Sequence, residues 1–360
     1  MTHSHVESIL FSLLQQIVAK QEGSEIDFTS LSEDDWMSLY RISAEQGVLA
    51  IVFDAVAPMM SCLPRNLKVQ WALSVEQIEK RYARQYKVSR ELSRIYGEHG
   101  ISVVVLKGLS LSTYYPIPSH REFGDFDCFL FDRYEDGNSI AIQNGATLLG
   151  TDYKHSHLNY KGVMVENHRY CTPIRGGKQY KEFELYLQHR LRDDSAIYLA
   201  DSNIILPSAT FNALFLARHS MTHFLYEGIN LRHLLDWAFL LQREQNNIDW
   251  KEFYKWCDIM HLTGFVNTMN AIIEQYFHVE MQNPEAVLDS TYVKRMVDSI
   301  LHEGNSVYTR GDLSLWRQRV AIVNNMISSS WKFSKIYNRS LIMECARALY
   351  YATFEKNPKL

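Results

Sequence analysis

Apolar residues recur at helical spacing near the start of the chain, where Ile9, Leu10, Leu13, Leu14 and Ile17 share one face. Ser32 followed by Glu33, Asp34 and Asp35 has the form of an N-cap with an acidic first turn. Over 66–96 the pattern predicts one long helix, with Ile78, Tyr82, Leu92 and Ile95 on one side and Lys80, Arg84, Lys87 and Arg94 on another. Gly97 and Gly100 stop it, and the period changes. The run ISVVVL at 101–106 is β-branched and of buried-strand length. A short helix is expected over 109–115, then a strand over 125–131, where DFDCFLF alternates acid with apolar residues. A helix over 133–144 and strands over 154–160 and 163–170, joined at Lys161-Gly162, follow. Helical spacing then returns, with helices expected near 208–224, 229–244, 249–277, 284–302, 312–330 and 336–354. The expected fold class is α+β. A small mixed sheet with helices over 98–206 is flanked by an N-terminal helical region (1–97) and a C-terminal helical domain (207–360).

Composition narrows the functions available. With 46% hydrophobic and 22% charged residues, the 360-residue chain is neither disordered nor collagen-like. Its 37 basic residues against 41 acidic ones argue against a nucleic-acid coat or a polybasic membrane binder. The cysteines (Cys62, Cys128, Cys171, Cys257, Cys345) are scattered and never spaced C-x-x-C, so neither a disulfide framework nor a cysteine zinc knuckle is expected. A reducing cytoplasm suits them. No apolar run is long enough to span a bilayer, and the opening residues do not have the form of a signal peptide.

The candidate chemistry lies between 103 and 131. Asp125 and Asp127 are two apart on an expected strand, so both carboxylates point to one face and repel. A divalent cation relieves that repulsion, and hard oxygen donors favour Mg²⁺ or Mn²⁺. Lys107-Gly108 ends the preceding strand just before a helix start, a place suited to an anion. Histidines offer a second chemistry: His155-x-His157, His168 and His219-x-x-x-His223 are a possible set of zinc ligands. No H-E-x-x-H occurs, and a helical H-x-x-x-H without that Glu is more often a packed pair. The serines lack a G-x-S-x-G context, and there is no P-loop. Gly176-Gly177 has the form of a hairpin tip or a flexible lid.

Leu106-Lys107-Gly108, Tyr115-Pro116, Arg121, Gly124-Asp125-Phe126-Asp127 and Val165-Glu166-Asn167-His168 occur in that order. They are followed by His219, His223 and LRHLLDWA at 231–238. This series resembles the bacterial family of uncharacterised nucleotidyltransferases within the polymerase-β-like superfamily. The resemblance implies a polymerase-β-like core that moves an NMP from an NTP to a hydroxyl acceptor and releases pyrophosphate. The acceptor is expected to be a small molecule or a protein. Asp125, Asp127 and Glu166 would be the catalytic acids and the ligands of two Mg²⁺ or Mn²⁺ ions, with Glu184 an alternative third acid. Lys107, Gly108, Ser110, Arg121 and Gly124 would grip the nucleotide. His168, His219, His223, Arg232 and Asp236 would wall the substrate site, with Arg232 and Asp236 paired one turn apart and bordering the pocket of Glu166. One departure stands out: Leu109 follows Gly108 where the superfamily usually has Ser or Gly. Two other readings remain open at this point. One is a toxin-like nucleotidyltransferase acting on tRNA along a basic path from Lys80, Arg84 and Lys87; the other is a catalytically silent binding module of the same fold.

Overall fold

Val103–Val105, the centre of the β-branched run, forms β1, an interior strand of a seven-stranded mixed sheet. The computed structural model describes residues 4–20, 28–281, 290–303, 326–354 and 360. The other strands are β2 (Asp125–Phe129), β3 (Thr147–Thr151), β4 (His155–Tyr160), β5 (Val163–His168), β6 (Ile197–Tyr198) and β7 (Ile204–Leu206). Their order across the sheet is β3-β4-β5-β2-β1-β7-β6. The β2–β5 and β1–β7 pairs run parallel and the remaining neighbours antiparallel.

Helices precede and follow the sheet. Before it come α1 (His5–Ala19), α2 (Glu33–Glu45), α3 (Leu49–Val56) and α4 (Arg65–Glu98), and within it α5 (Leu109–Ser112), α6 (Tyr134–Gln143) and α7 (Lys178–Asp193). After it come α8 (Ala209–Tyr226), α9 (Leu231–Glu244), α10 (Trp250–Ile259), α11 (Thr263–Phe277) and α12 (Ser290–His302), then a last helix at Leu341–Phe354. At 34 residues α4 is the expected long helix, about 51 Å from end to end. Ser32 caps α2 as expected, its hydroxyl accepting from the Asp35 amide at 3.2 Å.

Alternation along the strands divides the core in two. Val103, Val105, Phe126 and Cys128 pack with Val88, Leu92, Ile95 and Tyr96 of α4. Val104, Leu106 and Phe129 face the other way, into a larger core with α1, α3, α8, α9 and α11. Asp125 and Asp127 share the parity of Phe129, so they lie on the side of α8 and α9.

Some elements differ from expectation. The expected 249–277 helix is two, broken where His261 takes a φ of +57° between α10 and α11. Gly176-Gly177 is not a hairpin tip; Gly177, with a φ of +110°, caps the start of α7. β3 was not foreseen because it is an edge strand exposed along most of its length, without an apolar face. The expected helix at 312–330 lies mostly outside the described residues, as do 284–289 of the helix that precedes it.

Candidate active site

Register builds the site. Across β2–β5, Asp125 pairs with Met164, Asp127 with Glu166 and Phe129 with His168. Carboxylate oxygens of Asp125, Asp127 and Glu166 therefore meet on one sheet face, all within 4.8 Å of one another. Lys107, at the end of β1, reaches them from the next strand. Its Nζ lies 2.8 Å from Asp127 Oδ1 and 3.9 Å from Asp125 Oδ2. His168 Nε2 lies 3.0 Å from the same Asp127 Oδ1.

Asp127 is not the solvated strand end that a D-x-D suggests by itself, for it is only 1% exposed. Burial alone raises its pKa, but the Lys107 ammonium and His168 outweigh that and hold it well below the usual carboxylate range. Asp125 shows the opposite balance: repulsion from Asp127, then burial, pushes its pKa up to about 6. The Lys107 ammonium contacts Asp125 and Asp127 and cannot by itself neutralise all three carboxylates. Asp127 Oδ2 also remains buried without a hydrogen-bond partner. An orphaned acceptor beside two further carboxylates fits the donor set of a hard divalent cation.

A cleft of about 280 Å³ opens on this face. Lys107, Gly108 and Asp125 form its sheet side, and His219, His223 and Arg232 of α8 and α9 form its helical wall. At Gly108 the backbone turns with φ +51°, and an added Cβ would meet Phe123 at 3.1 Å and the Asp125 carbonyl at 3.4 Å. Only glycine permits so tight a turn against β2.

A family model described as an uncharacterised nucleotidyltransferase matches residues 32–278. The chain belongs to that family. No curated protein and no solved structure matches it. The family match begins at Ser32 and ends at His278, so α2–α4 and α8–α11 belong to the family unit together with the sheet.

Several family-motif residues stand in places the sequence did not indicate. Arg121, expected at the nucleotide, lines the cleft and is also a buried brace: its Nε and Nη2 donate to both carboxylate oxygens of Asp236 at 2.7 and 2.8 Å. Tyr115 Oη donates to the same Asp236 at 2.7 Å, and Arg121 Nη1 donates to the Gly108 carbonyl at 3.3 Å. The Tyr-Pro, Arg and LRHLLD motifs thus meet in one cluster that fixes the Gly108 turn. The expected Arg232–Asp236 pair does not form, because Asp236 is fully engaged by Arg121 and Tyr115. Arg232 instead donates to the Glu122 carbonyl at 2.6 Å while lining the cleft beside Asp125. Glu166 is not part of the cleft lining that Arg232 shares.

Other expectations are corrected by burial. Ser110 is inside the protein, and its amide donates to the Lys107 carbonyl at 2.9 Å. The Ser110 amide at the α5 start is therefore taken by the backbone, and Lys107 supplies a cation at this turn. His168 is not a wall residue but a buried support for Asp127 on β5. Glu184, the alternative third acid, is buried on α7 and accepts from the amides of Cys171 and Thr172, the Thr172 hydroxyl and Gln188. It fixes a loop. Among the wall residues, His219 stacks on Phe215, and burial, His223 and Lys107 hold its imidazole neutral. His223 Nδ1 lies 2.6 Å from Glu227 Oε2. An added Cβ at Gly124 would meet nothing within 4 Å, so no neighbour in the protein requires glycine there.

Lys154 was not foreseen. Burial, then the nearby Lys107, pushes its ammonium down in pKa, against the attraction of Asp127, Glu166 and Glu184. Among the described residues its ammonium has no ion-pair partner. No sequence signal marks it, since the turn before β4 carries it to the site only once β4 pairs with β5.

Proposed function

We propose that the chain transfers a nucleoside monophosphate from an NTP to a hydroxyl acceptor with release of pyrophosphate. The core would be polymerase-β-like, over about 98–206, flanked by the helical regions 1–97 and 207–360, with α8 and α9 walling the cleft. The observation that carries this reading is the convergence of Asp125, Asp127 and Glu166 on one sheet face beside a cleft whose lip is the Lys107-Gly108 turn. Divalent ions, Mg²⁺ or Mn²⁺ and two in number, would supply charge for the phosphates and polarise the attacking oxygen.

The protein's own groups divide the remaining work. Asp125 and Asp127 present oxygens from one strand, and Glu166 stands beside them to accept the proton of the acceptor hydroxyl. Lys107 faces the phosphates as a point charge, which the absent Ser or Gly after Gly108 makes more important. Arg232 and His223, across the cleft, orient the acceptor. A small molecule or a protein suits this acceptor role better than tRNA, because part of the basic path on α4 is already engaged within the protein. Lys80 pairs with Glu76 at 2.6 Å, Arg94 pairs with Glu98, and Arg84 donates to the Lys161 carbonyl at 2.7 Å. A cytoplasmic location follows from this reading of the substrate, and among the described residues no helix is long and apolar enough to cross a membrane.

Lys154 gives a direct test of phosphate recognition. Lys154→Met is expected to raise the KM for NTP about tenfold, equivalent to about 1.4 kcal/mol, with kcat little changed. Thermal stability should be kept, since the half-buried Lys154 ammonium makes no ion pair among the described residues. An unchanged KM would remove Lys154 from the phosphate site.

A further inference from the structure

Three imidazoles and two carboxylates crowd the sheet beside Asp127. His155 and His157 point the same way from β4, and β5 sets Glu166 opposite His157 and His168 opposite His155. Asp152, in the turn before β4, joins them. Its Oδ1 accepts from the backbone amides of Lys154 and His155 at 2.6 and 2.9 Å, which leaves Oδ2 facing His155 Nε2 at 3.6 Å. His155 Nε2 is 3.8 Å from Glu166 Oε2, and His157 Nδ1 is 3.5 Å from Glu166 Oε1. The two β4 imidazoles meet edge to face with ring centroids 4.5 Å apart.

These separations are too long for hydrogen bonds, which fall at about 2.7–3.2 Å. They are close to another spacing. Ligands bound at about 2.0–2.1 Å around a tetrahedral ion lie about 3.3–3.4 Å from each other. Donor atoms of Asp152, His155 and His157 all lie within 4.8 Å of one another. An H-x-H on a strand says little by itself. A carboxylate held by two backbone amides with its other oxygen turned to the imidazole says more.

We propose that Asp152, His155 and His157 bind one zinc-class divalent ion, with the fourth position left to water. Imidazole with carboxylate suits a borderline ion such as Zn²⁺, whereas Asp125 and Asp127 offer only hard oxygen. The two sites meet at Glu166, whose two oxygens face the β4 histidines while its carboxylate also belongs to the acidic trio. The zinc site stands without the nucleotidyl-transfer reading, because its ligands are defined by β4 and its turn.

The test uses the full chain stripped of metal by a chelator, with Co²⁺ as optical probe and Zn²⁺ as competitor. One equivalent of Co²⁺ should give visible ligand-field absorption, and Zn²⁺ should displace it. His155→Gln combined with His157→Gln should weaken Zn²⁺ binding at least about tenfold. Asp152→Asn, an exposed change, should weaken it in the same direction and serves if the double variant does not fold. Asp125→Asn should leave it intact. No stoichiometric cobalt spectrum, or undiminished affinity in the histidine and Asp152 variants, would overturn the site. Loss of binding in Asp125→Asn would also overturn it, by placing the ion among the carboxylates. None of these readouts involves a nucleotide, so failure of the transfer reading leaves them unchanged.

Discussion

Asp236→Ala is expected to destabilise the protein by about 3–5 kcal/mol, seen as a fall in the urea midpoint. The change would leave the Arg121 guanidinium, 5% exposed, without its bidentate partner, and would orphan the Tyr115 hydroxyl that donates to the same carboxylate. Breaking one side of a buried pair costs more than removing both, because the remaining charge stays desolvated. The double variant Arg121→Met with Asp236→Leu should therefore lose markedly less stability than Asp236→Ala alone. Nucleotide binding should still suffer in the double variant, since Arg121 also holds the Gly108 carbonyl. If the single variant unfolds at the wild-type midpoint, the brace carries no weight.

Asp127→Asn should have two effects at once. Transfer should fall on the order of a thousandfold, the consequence of losing about 4 kcal/mol of metal-supplied charge stabilisation. Stability should fall by about 3 kcal/mol in the metal-free protein, because Lys107 and the buried His168 lose the carboxylate between them. A solvated acid would have given the first effect without the second. The sign of the pH dependence follows from the depressed Asp127 pKa. Its contribution is complete at neutral pH, where folded and unfolded carboxylates are both ionised. It begins to be lost only as pH drops below the ordinary value of 3.8 and disappears as pH falls through the folded value. Asp125→Asn should behave differently, since repulsion and burial already disfavour that charge: activity is lost while stability holds or rises.

Much of the site was legible because strand geometry is periodic. Two acids at i and i+2 on DFDCF must share a face, and the VENH run supplied the neighbouring acid once β5 paired with β2. The long α4 and the cap of α2 were equally legible from apolar spacing and Ser32. Pairings across the fold were not. Arg121 and Asp236 are 115 positions apart, and Arg232, four residues before Asp236, was the partner that local spacing favoured. α7 was hidden by its many charged residues, although Tyr180, Phe183, Leu187 and Leu191 mark a buried helical face. β6 is two residues long and exposed, so it offers no alternation to read.

If Asp125, Asp127 and Glu166 hold metal for a nucleotide, metal and nucleotide must bind together. Calorimetric titration of a non-hydrolysable NTP analogue, with and without Mn²⁺ and in wild-type and Asp125→Asn protein, tests it most directly. Saturable binding is expected at pH 7.5 that requires the metal and weakens at least about tenfold in the variant, equivalent to about 1.4 kcal/mol. Metal-dependent binding should also weaken below pH 6, where the metal-free Asp125 carboxyl takes up a proton. Nucleotide binding that is absent, independent of metal, or equal in Asp125→Asn would contradict it.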